Sequence, residues 1–94
     1  MRVQLFSIFD TKSRVYLAPF VARSAVDATR QISASFRDPQ MRETPVGQHP
    51  DDFELFAVGG FDDETGEISP LQSKIFIANL GNLRDDSRAS TVPT

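Results

Sequence analysis

The chain has 94 residues, 39% of them hydrophobic and 24% charged, which fits one globular domain and is too short for two. It contains no cysteine, so a disulfide framework, zinc–thiolate sites and thiol catalysis are excluded. The formal net charge is −3, unevenly spread: residues 1–42 hold seven basic and three acidic side chains, residues 43–94 three basic and ten acidic. Such asymmetry suggests polyanion contact on one face, the alternative being that the two halves pair with each other in the fold. No apolar run approaches the ~20 residues of a membrane span. The opening Met1-Arg2-Val3-Gln4-Leu5-Phe6 lacks the long apolar stretch of a signal peptide. A cysteine-free small domain fits a cytoplasm.

Residues 2–9 read as a strand, with Val3, Leu5 and Phe9 on one face and Phe6 and Ile8 on the other; Ser7 is the polar exception. Both faces are partly apolar, as in a strand covered on two sides. Asp10 to Ser13 is a polar break of hairpin length. Residues 14–18 form a second short strand, which Pro19 ends or confines to an edge because it has no N–H to donate. Ser24 opens a helix, with Asp27 three residues on as an approximate capping box. Ala25, Ala28, Ile32 and Phe36 make its apolar stripe, and Asp38-Pro39 ends it.

Residues 39–52, with Pro39, Pro45, Gly47 and Pro50, read as a long loop. Residues 53–58 form a third strand, with Phe53, Leu55 and Ala57 opposed to Glu54, Phe56 and Val58; Gly59-Gly60 mark a bulge or a close backbone approach. Asp62 to Gly66 is a turn, Glu67 to Pro70 a short return strand, and Lys74 to Leu80 a last strong strand. From Gly81 the chain is polar, and residues 81–94 are expected to be a disordered tail after a single domain over 1–80. The class is α+β: a mostly antiparallel sheet of four to five strands with one main helix, in the order β-β-α-β-β-β. One helix cannot cover both faces of that sheet. A second copy of the chain is the simplest further cover, so a homodimer is expected.

Catalytic chemistry is hard to find. His49 is the sole histidine and cannot build a metal cluster alone; no Ser or Asp is spaced as a triad would need. The acidic run Asp62, Asp63, Glu64 and Glu67 lacks the alternating ligands of a calcium loop and reads as a solvated hairpin tip. No glycine-rich phosphate loop is present. The expectation is a non-enzyme with no metal and no cofactor.

The basic residues carry more. Arg23, Arg30 and Arg37 recur every seven residues, close to two helical turns, so they line one side of the helix about 10 Å apart. Such a line can track phosphates; a solvated face with Asp27 bridging Arg23 and Arg30 is the alternative. Tyr16, beside Arg14 and near Lys12, is the aromatic candidate for base stacking, or else part of the core. Phe6, Phe9, Phe36, Phe53, Phe56 and Phe76 are expected in the core.

Four segments resemble the small non-structural protein of microviruses, the tailless single-stranded DNA phages, in particular the gokushovirus branch. They are Phe6-Ser7-Ile8-Phe9-Asp10, then Pro19-Phe20-Val21-Ala22-Arg23-Ser24, then Ala28-x-Arg30. The most specific runs Pro50-Asp51-Asp52-Phe53-Glu54-Leu55-Phe56-x-Val58-Gly59-x-Phe61-Asp62-x-x-Thr65-Gly66. Together they span residues 5–68; Phe56 and Gly60 depart mildly from the pattern. The resemblance implies a protein of the infected bacterium's cytoplasm, absent from the mature particle. It implies DNA binding at the switch from duplex replication to single-strand synthesis and genome packaging, and brings no catalytic residues. Lys12, Arg14, Tyr16, Arg23, Arg30 and Arg37 are therefore the candidate nucleic-acid-binding residues, with single-stranded DNA as partner. An adaptor that bridges replication or procapsid proteins through the hairpin Asp62–Glu67 is the second reading. A DNA-mimicking inhibitor of a host enzyme is the third.

Overall fold

The computed structural model describes residues 1–89. Five antiparallel strands form one sheet: β1 (Arg2–Asp10), β2 (Val15–Tyr16), β3 (Phe20–Ala22), β4 (Phe53–Asp62) and β5 (Ile68–Asn79). The sheet order is β2-β1-β4-β5, with β3 beside β2 along the same side of β1. Helices α1 (Ala25–Ser35), α2 (Pro45–Gln48) and α3 (Leu80–Ala89) complete the fold, with two 3-10 turns at Pro39–Glu43 and Pro50–Asp52.

The α+β class and the antiparallel sheet stand as read from the sequence, but the elements are distributed differently. Pro19 breaks the returning strand, and pairing resumes beyond it, so Phe20–Ala22 is a further short strand ahead of the helix, additional to the one read over residues 14–18. Residues 39–52 are not an open loop but a string of short helical turns, each entered through a proline at its first turn.

The two expected C-terminal strands are two halves of β5, both paired with β4. Gly59 faces Pro70 and Ala57 faces Ile75, so the four residues Leu71–Lys74 lie opposite Val58 alone. Val58 is also the extra residue against β1, where Leu5 faces Gly59 and Phe6 faces Ala57. Gly59 makes this junction possible: a Cβ there would stand 2.6 Å from the Ser69 carbonyl oxygen.

The polar segment from Gly81 is helical to Ala89 rather than a disordered tail; residues 90–94 lie outside the described residues. Leu80 and Leu83, three apart, are buried in the core and supply the tertiary support that composition hides. Asn79 starts this helix, its Oδ1 accepting the Gly81 N–H at 2.8 Å while its Nδ2 donates to the Asp51 carbonyl.

The core lies on one face of the sheet. Ala28 and Ile32 of α1, flanked by the partly buried Ala25 and Phe36, pack against Phe6, Ala22, Phe53, Leu55 and Ala57 together with Leu80 and Leu83. The apolar stripe of α1 is thus the one read from spacing. Its cap also holds: Ser24 Oγ accepts the Asp27 N–H, and the Asp27 carboxylate accepts the N–H of Arg23. Asp27 Oδ2 accepts both the Arg23 N–H and the Gln31 side-chain amide, and no ion pair from Asp27 to Arg23 or Arg30 forms. Past Ser35 the chain tightens into three-residue hydrogen bonds through Asp38, whose side chain caps the next turn.

Candidate nucleic-acid interface

Side chains alternate across a strand, so the residues between the core positions point to the sheet's other face. Phe9 of β1 is the Cα partner of Tyr16 on β2, and Phe56 of β4 that of Phe76 on β5. Four rings from four strands therefore meet. Phe9 and Tyr16 are 4.6 Å apart between centroids and Phe9 and Phe56 6.2 Å. Tyr16 and Phe56 are 6.0 Å apart and Phe56 and Phe76 5.7 Å. All but the first pair stand edge to face, the arrangement that ring quadrupoles favour. No described helix contributes to this cluster. Phe9, Phe56 and Phe76 thus lie outside the buried core, where the sequence placed them.

The outer rings of the cluster are open to solvent: Tyr16 is 44% exposed and Phe76 53%. Lys74, from the out-of-register segment of β5, reaches over the face with its Nζ 5.4 Å from the Tyr16 centroid. Such a cation–π contact contributes about 0.5–1 kcal/mol at an exposed site. Beside it Ser7, Tyr16, Leu17, Pro19, Val58 and Lys74 line a shallow hollow of about 250 Å³. Ser7, the polar exception of β1, is buried and donates its hydroxyl to the Leu17 carbonyl at 2.6 Å. It ties down the chain where Pro19 cannot pair, and so fixes the rim next to Tyr16.

The β1–β2 loop carries two cations to the same edge. The Asp10 carboxylate accepts the N–H groups of Lys12 and Ser13, and the Arg14 N–H donates to the Asp10 carbonyl at 2.8 Å. Hydrogen bonds from the Ser13 side chain and then its backbone hold the Asp10 pKa below the ordinary carboxylate value. Arg14 closes the loop at φ 62°, a left-handed conformation unusual for a side chain of its size. Lys12 and Arg14 themselves are exposed.

The sequence-derived candidates therefore fall into two groups. Lys12, Arg14 and Tyr16 share one hairpin at the open face. Arg30 and Arg37 belong to the α1 side of the sheet, lining a groove of about 420 Å³ with Val26, Thr29, Ser33, Ala34 and Leu83. Arg23 stands at the entry to α1, just past the β3 edge. Sequence reasoning missed Phe9, Phe56, Phe76 and Lys74 as neighbours of Tyr16. Their alternation was visible, but the pairing of β1 with β4 was not.

At the far end of the sheet the acidic turn is partly neutralised. The Met1 ammonium lies 2.8 Å from Asp63 Oδ1 and 3.1 Å from Glu64 Oε1. Asp62 Oδ1 accepts the Glu64 N–H, which with the Thr65 N–H lowers its pKa against desolvation. Among the described residues no three metal-ligating side chains gather, and no helix is long and apolar enough to cross a membrane. His49 is exposed beside Asp10, Lys12 and Asp52.

Residues 3–83 match the family described as Phage ORF5 protein. The chain belongs to that family. The match runs from β1 to Leu83, the last buried leucine of α3, and so takes in both faces of the sheet. No curated protein and no solved structure matches the chain.

Proposed function

We propose that this phage protein binds single-stranded DNA on the open face of its sheet, as a binding protein rather than an enzyme. The observation that carries the reading is the four-ring cluster whose outer members, Tyr16 and Phe76, are exposed on a face no described helix covers, with Lys74 above Tyr16. Exposed rings accept bases of any sequence by stacking, and nearby cations hold the backbone. Lys12, Arg14 and Lys74 are the phosphate contacts at this face. A strand leaving it past the β3 edge meets Arg23 first, and only a longer strand reaches Arg30 and Arg37. On this reading the protein acts in the host cytoplasm, at the change from duplex replication to single-strand synthesis and packaging, a role that the resemblance to gokushovirus non-structural proteins supports. The adaptor reading through the acidic turn is less supported, because Asp63 and Glu64 are already paired with the Met1 ammonium.

The test is fluorescence anisotropy with a labelled single strand and its duplex across a salt series. Three phosphate contacts give a log–log slope of about −2 for single strands. Tyr16→Ala and Phe76→Ala should each weaken binding by about 5- to 150-fold, the range for loss of one stacked base. Arg30→Glu should weaken it less than either. Equal affinity for the duplex, or wild-type affinity in both ring variants, overturns the reading.

A further inference from the structure

We infer that two copies of this chain pair through the outer edge of β5, forming a closed dimer with one continuous strand-binding face. β5 is the last strand of the sheet, and none of the described residues pairs with its outer edge. It is long, and it carries four exposed large apolar residues: Ile68, Leu71, Ile75 and Phe76. Ile75 is 54% and Phe76 53% exposed, and they neighbour core-facing Ala57 and open-facing Phe56 respectively. The edge is therefore uncovered on both sides of the sheet.

An exposed apolar edge of this kind is a template for strand addition unless it is blunted. The blunting devices sit in the first half of β5: Pro70, the out-of-register Leu71–Lys74 and the charge of Lys74. The second half, Ile75–Asn79, has no proline and no charge, its one irregularity being the extra residue Ile77. Pairing is thereby confined to one short window.

The occupant of that window follows from the other edge. Addition of β5 to the opposite edge of a second molecule would be head to tail and would propagate into a filament. That edge consists of a two-residue and a three-residue strand separated by Leu17–Pro19, and it cannot receive a five-residue partner. What remains is β5 against β5, an isologous contact that closes on itself. The window opposes no like charges when it pairs with itself antiparallel.

The two-fold axes of an antiparallel ladder stand normal to the sheet, so both open faces point the same way. Phe76 ends the ring cluster at β5, and the second copy's cluster would begin directly across the junction. This consequence rests on the DNA-binding reading above; the pairing itself does not.

Oligomeric state is measured first, without DNA, by sedimentation velocity at tens of micromolar. The wild-type chain should run at twice its 10.5 kDa mass. Ile75→Lys should run as a folded monomer, with the far-UV circular dichroism of the wild type and a urea midpoint that is lower and no longer depends on protein concentration. The absence of native cysteine allows a second readout: paired over Ile75–Asn79 the two copies place their residues 75 roughly 14 Å apart, so Ile75→Cys should cross-link to a dimer with a bis-maleimide of that reach, whereas Val26→Cys, also exposed but on α1, should not. A monomeric wild type, or cross-linking through Val26→Cys alone, overturns the proposal. A dimer that binds no single strand supports the pairing and refutes only the DNA-binding reading.

Discussion

Phe6→Ala and Phe76→Ala remove the same side chain from opposite faces of one sheet, and the consequences should be opposite. Phe6 is fully buried and its ring lies 6.0 Å from Phe20 between the sheet and α1. Truncation there loses the transfer free energy and leaves a cavity, about 3–5 kcal/mol. A domain of this size has about 5–14 kcal/mol in total, so this variant should sit near the threshold of unfolding. Phe76 is half exposed and touches Phe56 edge to face. Its loss should cost about 1–3 kcal/mol, roughly half the burial term plus one aromatic pair. Urea unfolding followed by far-UV circular dichroism measures both, and equal denaturant slopes would license the comparison. Strand affinity should rank the other way: Phe76→Ala folded but weak in binding, Phe6→Ala binding in proportion to its folded fraction. A Phe76→Ala variant as destabilised as Phe6→Ala would refute the division of the sheet into a packing face and a binding face.

Three further outcomes follow from local geometry. Gly59→Ala drives a methyl group into the Ser69 carbonyl, so the β4–β5 junction must shift; urea unfolding should show a loss of about 1–3 kcal/mol. Arg14→Gly relieves a left-handed side-chain position and should raise stability by about 1 kcal/mol, while removing one phosphate contact and flattening the salt slope by about 0.7. Asp10 has a folded pKa below its unfolded value, so it binds fewer protons folded than unfolded in acid. Its contribution is present above the unfolded pKa and is lost as pH falls through the lowered folded one, and Asp62 acts in the same direction. Asp10→Asn should therefore flatten the acid limb of a stability–pH profile and leave the neutral region's slope unchanged.

Much of the fold was legible because local signals agreed. The Ala25–Ala28–Ile32–Phe36 stripe, the Ser24 cap and the Gly59 approach each follow from spacing or from the absence of a Cβ, and each is met in the structure. α3 was hidden because its hydrophobic content is two leucines in a polar run, and their burial depends on α1 and β4. The unity of β5 was hidden because residues 71–74 read as a break and are one in register, though not in chain direction. The candidate site was legible only at Tyr16. Its neighbours Phe9, Phe56 and Phe76 were visible as phenylalanines, but whether a strand's second apolar face is covered is decided by tertiary packing, which alternation does not encode. Arg23, Arg30 and Arg37 do not form the helical line that their spacing predicts: only Arg30 lies within α1, Arg23 standing before its Ser24 cap and Arg37 past Phe36 at its end, and α1 packs on the face opposite Tyr16.

Tyr16 is the only tyrosine and the chain has no tryptophan, so its intrinsic fluorescence reports on that one side chain. Titration with oligothymidine should quench this emission saturably, in parallel with the rise in anisotropy of the labelled strand, and added salt should reverse both. Strand binding that leaves the tyrosine emission unchanged would contradict the claim that bases stack on the open face.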